Sequence, residues 1–183
     1  MRVNIRKPLA ALAALVLVMS VVLTVAPALA QDPGNELSFE DMGIMILPEY
    51  DVASPQVLIM YEGVLNNKSD RPFSGDVVFR VPKGADVRST CELSADPLRN
   101  ENPTHNNRRN LAQVTDKGDY LEVSMPVSKA INPKEGLPFH MEFYYAGVTG
   151  GPEKTINFKY TPTYSAKKLL IHVAQPTQST NYK

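Results

Sequence analysis

The chain has 183 residues, 43% of them hydrophobic and 21% charged, with 19 Lys+Arg against 19 Asp+Glu. That length suits one domain with its own hydrophobic core. No cluster of Lys and Arg forms the basic face that nucleic-acid binding demands, so a nucleic-acid partner is excluded. Cys91 is the single cysteine, so an internal disulfide is excluded as well.

Residues 1–30 read as a secretory signal. Arg2, Arg6 and Lys7 give a basic start, the run from Leu9 to Val25 is uncharged, and Ala28-Leu29-Ala30 is a small-x-small cleavage site. Pro8 to Ala30 is also long enough to cross a bilayer as a helix, which leaves an uncleaved N-terminal membrane anchor as the rival reading. Pro27, which breaks a helix just before the cleavage site, favours cleavage. Either way the rest of the chain is expected outside the cytoplasm, extracellular or at the cell envelope, and only residues 1–30 would meet a membrane. Because the leader holds three of the 19 basic residues and no acid, the remainder carries 16 Lys+Arg against 19 Asp+Glu and is mildly acidic.

Residues 31–36 form a polar leader. From there the apolar pattern has period two, the mark of strands with one buried face. Met42 to Leu47 is a weak strand candidate. Glu49 and Asp51 share a face if that segment is extended, and such a carboxylate pair reads as a solvated loop, with calcium or glycosidase chemistry as the sharper alternative. Val57 to Leu65 is apolar on both faces until Glu62 and Gly63 interrupt it, which predicts a central strand. Asn67-Lys68-Ser69 matches a glycosylation acceptor and equally a hairpin turn. In Asp76 to Val81, Val77, Phe79 and Val81 face inward. Ala85 to Leu93 is a further weak strand, on which Cys91 is expected to be a buried thiol.

Ser94 to Asn110 is the longest polar stretch. Its Arg99, His105, Arg108 and Arg109 could grip a carboxylate-bearing partner, against the plainer reading of a solvated loop. Short helical turns fit Ser94 to Leu98 or Val127 to Ile131. Strand candidates then follow at Leu111 to Thr115, Asp119 to Met125, Phe139 to Tyr145, Thr155 to Tyr160 and Lys167 to Val173, separated by turns rich in Gly, Pro and Asn. His140, Glu142 and Tyr144 lie on one wet face. His140 and Glu142, two residues apart, form the best metal constellation, with His172 as third ligand if the strands are neighbours. Two argued ligands are too few, so no metal is assigned. Gln175 to Lys183 reads as a flexible tail of interdomain-linker composition.

Eight or nine short strands with frequent turns predict an all-β domain over residues 37–174, an antiparallel β-sandwich. Val57 to Gly63, the polar turn after it, and Val77 to Ala85 resemble the paired strands of immunoglobulin-like domains in exported bacterial proteins. That resemblance implies a binding, adhesion or assembly role more than catalysis, although the Cys-Trp-Cys core of antibody domains is absent here. No catalytic, phosphate-binding or cofactor motif is present. The expectation is a non-catalytic module for protein interaction or assembly, with an envelope protein or polysaccharide as partner and Arg99, His105, Arg108, Arg109, His140, Glu142 and Tyr144 as its surface. A carbohydrate-binding module using Tyr120, Tyr144 and Tyr164 is the alternative, and a hydrolase the third.

Overall fold

Alternating side chains become strands wherever one face can be buried, and here they form ten among the described residues. The computed structural model describes residues 36–48, 56–100, 103–105, 112–150 and 154–175, all within one compact unit, Asp32–Lys183. The signal or anchor segment, Glu49 and Asp51, Arg108 and Arg109, and the tail from residue 176 lie outside the described residues.

The strands are β1 (Leu37–Pro48), β2 (Val57–Asn67), β3 (Asp76–Pro82), β4 (Asp86–Glu92), β5 (Gln113–Asp116), β6 (Tyr120–Pro126), β7 (Gly136–Tyr145), β8 (Val148–Gly150), β9 (Lys154–Ile156) and β10 (Ser165–Val173). A five-stranded sheet has the order β10-β1-β2-β7-β4, a three-stranded sheet the order β3-β6-β5, and β8 and β9 pair as a hairpin. The fold is all-β and rich in antiparallel pairs. One pair departs from the antiparallel expectation: β10 runs parallel to β1.

β2 sits at the centre of the larger sheet, as its two-sided apolar run requires. Gly63 is where β1 and β2 slip register between Phe39 and Met42, with φ 156°. A Cβ there would meet the Asp41 carbonyl oxygen at 2.9 Å, so the bulge needs glycine.

Both larger sheets contribute to one core. Phe79 of β3 stacks on Phe139 of β7 with centroids 4.5 Å apart, and Phe39 and Tyr164 complete an aromatic cluster around them. Tyr164, 2% exposed, also ties the chain after β9 to the smaller sheet, because its hydroxyl accepts the Val78 N–H at 2.8 Å. That bond occupies a backbone donor on β3, an edge strand.

The strand expected over Thr155 to Tyr160 stops at Ile156. Phe158 and Tyr160 still alternate toward the core, but they pack over Tyr61 and Phe143 rather than joining a ladder. Neither expected helical turn forms a helix; residues 97–99 make only a turn.

Tyr61, 1% exposed, has no hydrogen-bond partner for its hydroxyl among the described residues, and burial together with nearby Tyr160 pushes its pKa far upward. Burial also raises Tyr160, to about 12. Both phenols therefore keep their protons at pH values where an unfolded tyrosine, pKa about 10, loses its own. Their contribution to stability is whole below about pH 10 and falls above it; that of Tyr160 is lost as pH rises through about 12, while that of Tyr61 goes on falling beyond. Denaturant midpoints are expected to fall steeply across that window. Tyr61→Phe should flatten the fall, and equal slopes for the two proteins would refute the assignment.

Candidate functional site

Register alone gathers the chemistry-bearing residues into rows on the outer face of the five-stranded sheet. Gly43, Glu62, His140 and Cys91 are successive cross-strand partners on β1, β2, β7 and β4. The neighbouring row contains Met45, Met60, Glu142 and Ser89. Thus His140 and Glu142 do share a face, as their spacing indicates.

The described part of the long polar stretch, residues 94–100 and 103–105, lies over the first row. It turns back through the pairing of Leu93 with His105, and its neck is closed by Ser94 N–H to the Thr104 carbonyl at 3.0 Å and Thr104 N–H to Ser94 Oγ at 3.0 Å. Leu98 fills the space that Gly43 leaves: a Cβ on Gly43 would come within 2.7 Å of Leu98 Cδ2. Arg99 pairs with Asp41 at 3.4 Å and with Asp96 at 3.4 Å. Residues from β4, the loop and β1 are thereby joined across the sheet.

Beneath the loop, His140 is 6% exposed rather than lying on a wet face. His140 Nδ1 and Glu62 Oε1 lie 2.8 Å apart, within hydrogen-bond distance. On the other side, His140 Nε2 lies 3.5 Å from Glu142 Oε2. The His105 ring stands edge-on to His140 with centroids 5.3 Å apart, and its Nδ1 lies 3.0 Å from Cys91 Sγ.

Cys91 is buried, as expected, but it has the imidazole neighbour that its local sequence does not reveal. The thiol is 0% exposed, so with the loop seated no substrate reaches it. Among the described residues no group of three or more His, Cys, Asp or Glu could hold a metal ion. His172 does not join His140 and Glu142, because β1 and β2 separate its strand from β7, a span of about 14 Å at the usual strand spacing.

The other expected surface residues are dispersed. Tyr144 lies under the Arg88 guanidinium at 5.4 Å, and Tyr120, on the other sheet, lies under Arg80 at 5.0 Å. With Tyr164 in the core, the three tyrosines do not form one stacking platform. Arg99 is held by two carboxylates, and His105 faces Cys91 and His140.

Sequence reasoning did not place Glu62 beside His140. Its signal was present: a carboxylate interrupting an otherwise apolar central strand requires a partner. It also missed the four apolar side chains of β10, Leu169, Leu170, Ile171 and Val173, which are 38 to 59% exposed.

No family model matches the chain, and no curated protein matches it. Among solved structures, the chain is similar to a variant of a two-domain M1 zinc metallopeptidase bound to L-tryptophan, at 14% identity and a TM-score of 0.36. A variant of the M1 zinc metallopeptidase from Deinococcus radiodurans, bound to a Tyr-Ser-Ala substrate, gives 12% identity and a TM-score of 0.36. Each match covers 64% of this chain and 22% of the peptidase chain, and likeness at that level carries no argument.

Proposed function

We propose that this chain is an exported, non-catalytic β-sandwich module for protein interaction or assembly at the cell envelope. The observation that carries the reading is β10, a nine-residue edge strand whose every residue is exposed and whose centre is Leu169-Leu170-Ile171. Exposed apolar edge strands attract other strands, and natural proteins normally blunt or cover them. The leader supports export. The burial of Cys91, 0% exposed, and of His140, 6% exposed, supports a non-catalytic role for the loop-covered face.

The sandwich reading rests on the core shared by the two larger sheets. What supports an immunoglobulin-like layering is the division of the strands between the sheets, which departs from that pattern by one exchange. Constant-type immunoglobulin sheets order their strands 1-2-5-4 and 3-6-7, whereas here β7 takes the fifth strand's place and β5 the seventh's. β10 then extends the first sheet by one parallel strand.

In cells exporting the chain, cross-linking of the envelope fraction is expected to give a species larger than the free chain. A Leu169→Lys/Ile171→Lys variant should lose that species while keeping its melting temperature, because both side chains already meet solvent. Free chain only, or an assembly indifferent to the two lysines, would overturn the reading.

A further inference from the structure

We infer that Met45, Met60 and His172 form a site for a soft monovalent metal ion, Cu(I) or its analogue Ag(I), on the outer face of the five-stranded sheet.

Register brings the three together. His172 of β10 is the cross-strand partner of Met45 on β1, and Met45 is in turn the partner of Met60 on β2. Paired residues point to the same face. Met45 and Met60 are half-buried between fully buried neighbours, Ile44 and Ile46 on one strand and Ile59 and Tyr61 on the other, so the row lies on the outer face. His172, next in line beyond Met45, is exposed. Neighbouring strands stand about 4.8 Å apart, and an ion seated above Met45 therefore has Met60 and His172 one strand spacing away on either side. The long thioether stem and the imidazole bridge that gap.

These donors are not otherwise engaged. Of the five described methionines, Met42, Met125 and Met141 are buried in the core, and the Met42 sulfur accepts the Tyr160 hydroxyl at 2.9 Å. Met45 and Met60 are the two on an outer face, and they are each other's partner. Among the described residues, neither of their sulfurs and neither ring nitrogen of His172 has a hydrogen-bond or ion-pair partner.

The donor set selects the ion. Two thioethers and a neutral imidazole bring no negative charge, so they offer little to Mg2+, Ca2+ or Zn2+, which take carboxylates, carbonyls or thiolates. Thioether sulfur is soft and selects Cu(I). That ion has a filled d shell and no electronic demand for a fourth ligand, so three donors suffice. Two of the three are methionines, outside the His, Cys, Asp and Glu clusters considered above. The site is also independent of the interaction reading, because alternation turns Leu169 and Ile171 to the opposite face of β10 from His172.

Cu(I) titrated anaerobically into the purified chain, with ascorbate present and bicinchoninate competing, is expected to bind as one ion per chain. Met45→Leu and Met60→Leu keep most of the side-chain volume, and each should weaken binding at least about tenfold, no less than losing a group that merely supports a metal ligand. His172→Asn, at an exposed position, should do the same while the melting temperature of the metal-free chain stays unchanged. Cys91 is the control, since a thiol also suits Cu(I): Cys91→Ser should bind as the wild type does, because that thiol is 0% exposed. Ag(I) should shift the methyl resonances of Met45 and Met60 and leave those of Met42, Met125 and Met141 in place. No binding at stoichiometric copper overturns the inference, as does binding that survives Met45→Leu and Met60→Leu together or is lost in a folded Cys91→Ser chain.

Discussion

Phe139→Ala is expected to destabilise the folded chain by about 3 to 5 kcal/mol, a fall in melting temperature of roughly 8 to 20 °C for a domain of this size. Phe139 is 1% exposed, stacks on Phe79 from the smaller sheet and packs at 5.5 Å against Phe39 from its own. Truncation removes the flat face against which Phe79 rests, and two β-sheets cannot close on the void as flexible loops would. Part of the loss comes from the stacking itself, beyond the buried area. Phe139→Leu, which retains most of the volume, should lose less than half as much. Thermal unfolding of the three proteins by circular dichroism decides the matter: an alanine variant within about 1 kcal/mol of wild type would mean that the two sheets do not share this core.

The period-two pattern carried much of the fold into view, because a half-buried strand must alternate. Val77, Phe79 and Val81 face inward, and so do Val123 and Met125. Strand order was not legible, since alternation says which face is buried and nothing about which strand lies beside which. For that reason His172 looked like a possible third ligand, and β10 did not look like an exposed edge. Polar composition marked Ser94 to Asn110 as a loop, but it is blind to what lies beneath the described part of it. Gly43 was the missed cue, a residue without a side chain in an apolar strand, where Leu98 now rests. His140 became buried through contacts with Glu62 and His105, 78 and 35 residues away in sequence, and no local pattern reports such pairings.

Asn67→Ala is expected to cost about 2 to 4 kcal/mol, more than a surface turn residue would, because every polar atom of Asn67 is engaged where it is 1% exposed. Its Nδ2 donates to the carbonyls of Arg71 and Ile131 at 2.8 Å each, and its Oδ1 accepts from Ser69 N–H at 2.9 Å and Ser69 Oγ at 2.7 Å. Its backbone N–H meanwhile donates to the Glu135 carbonyl, and its own carbonyl accepts from Lys134. One side chain therefore closes the turn after β2 and fastens it to the segment around Ile131. The hairpin reading of Asn67-Lys68-Ser69 does not hold, because β2 and β3 lie in different sheets. The segment is a connection between sheets, in which a glycan on Nδ2 would replace one of its two hydrogens and break one of the two carbonyl contacts. Asn67→Asp provides the sharper version. It preserves the shape but turns an acceptor toward two carbonyl oxygens, so at neutral pH it should lose at least as much stability as Asn67→Ala. The new carboxyl binds its proton more tightly in the folded chain than in the unfolded one, so the deficit should shrink as pH falls toward the carboxylate range. Urea midpoints for the two variants, measured from neutral to mildly acid pH, should converge with falling pH, and parallel lines would show that the amide is not donating to those carbonyls.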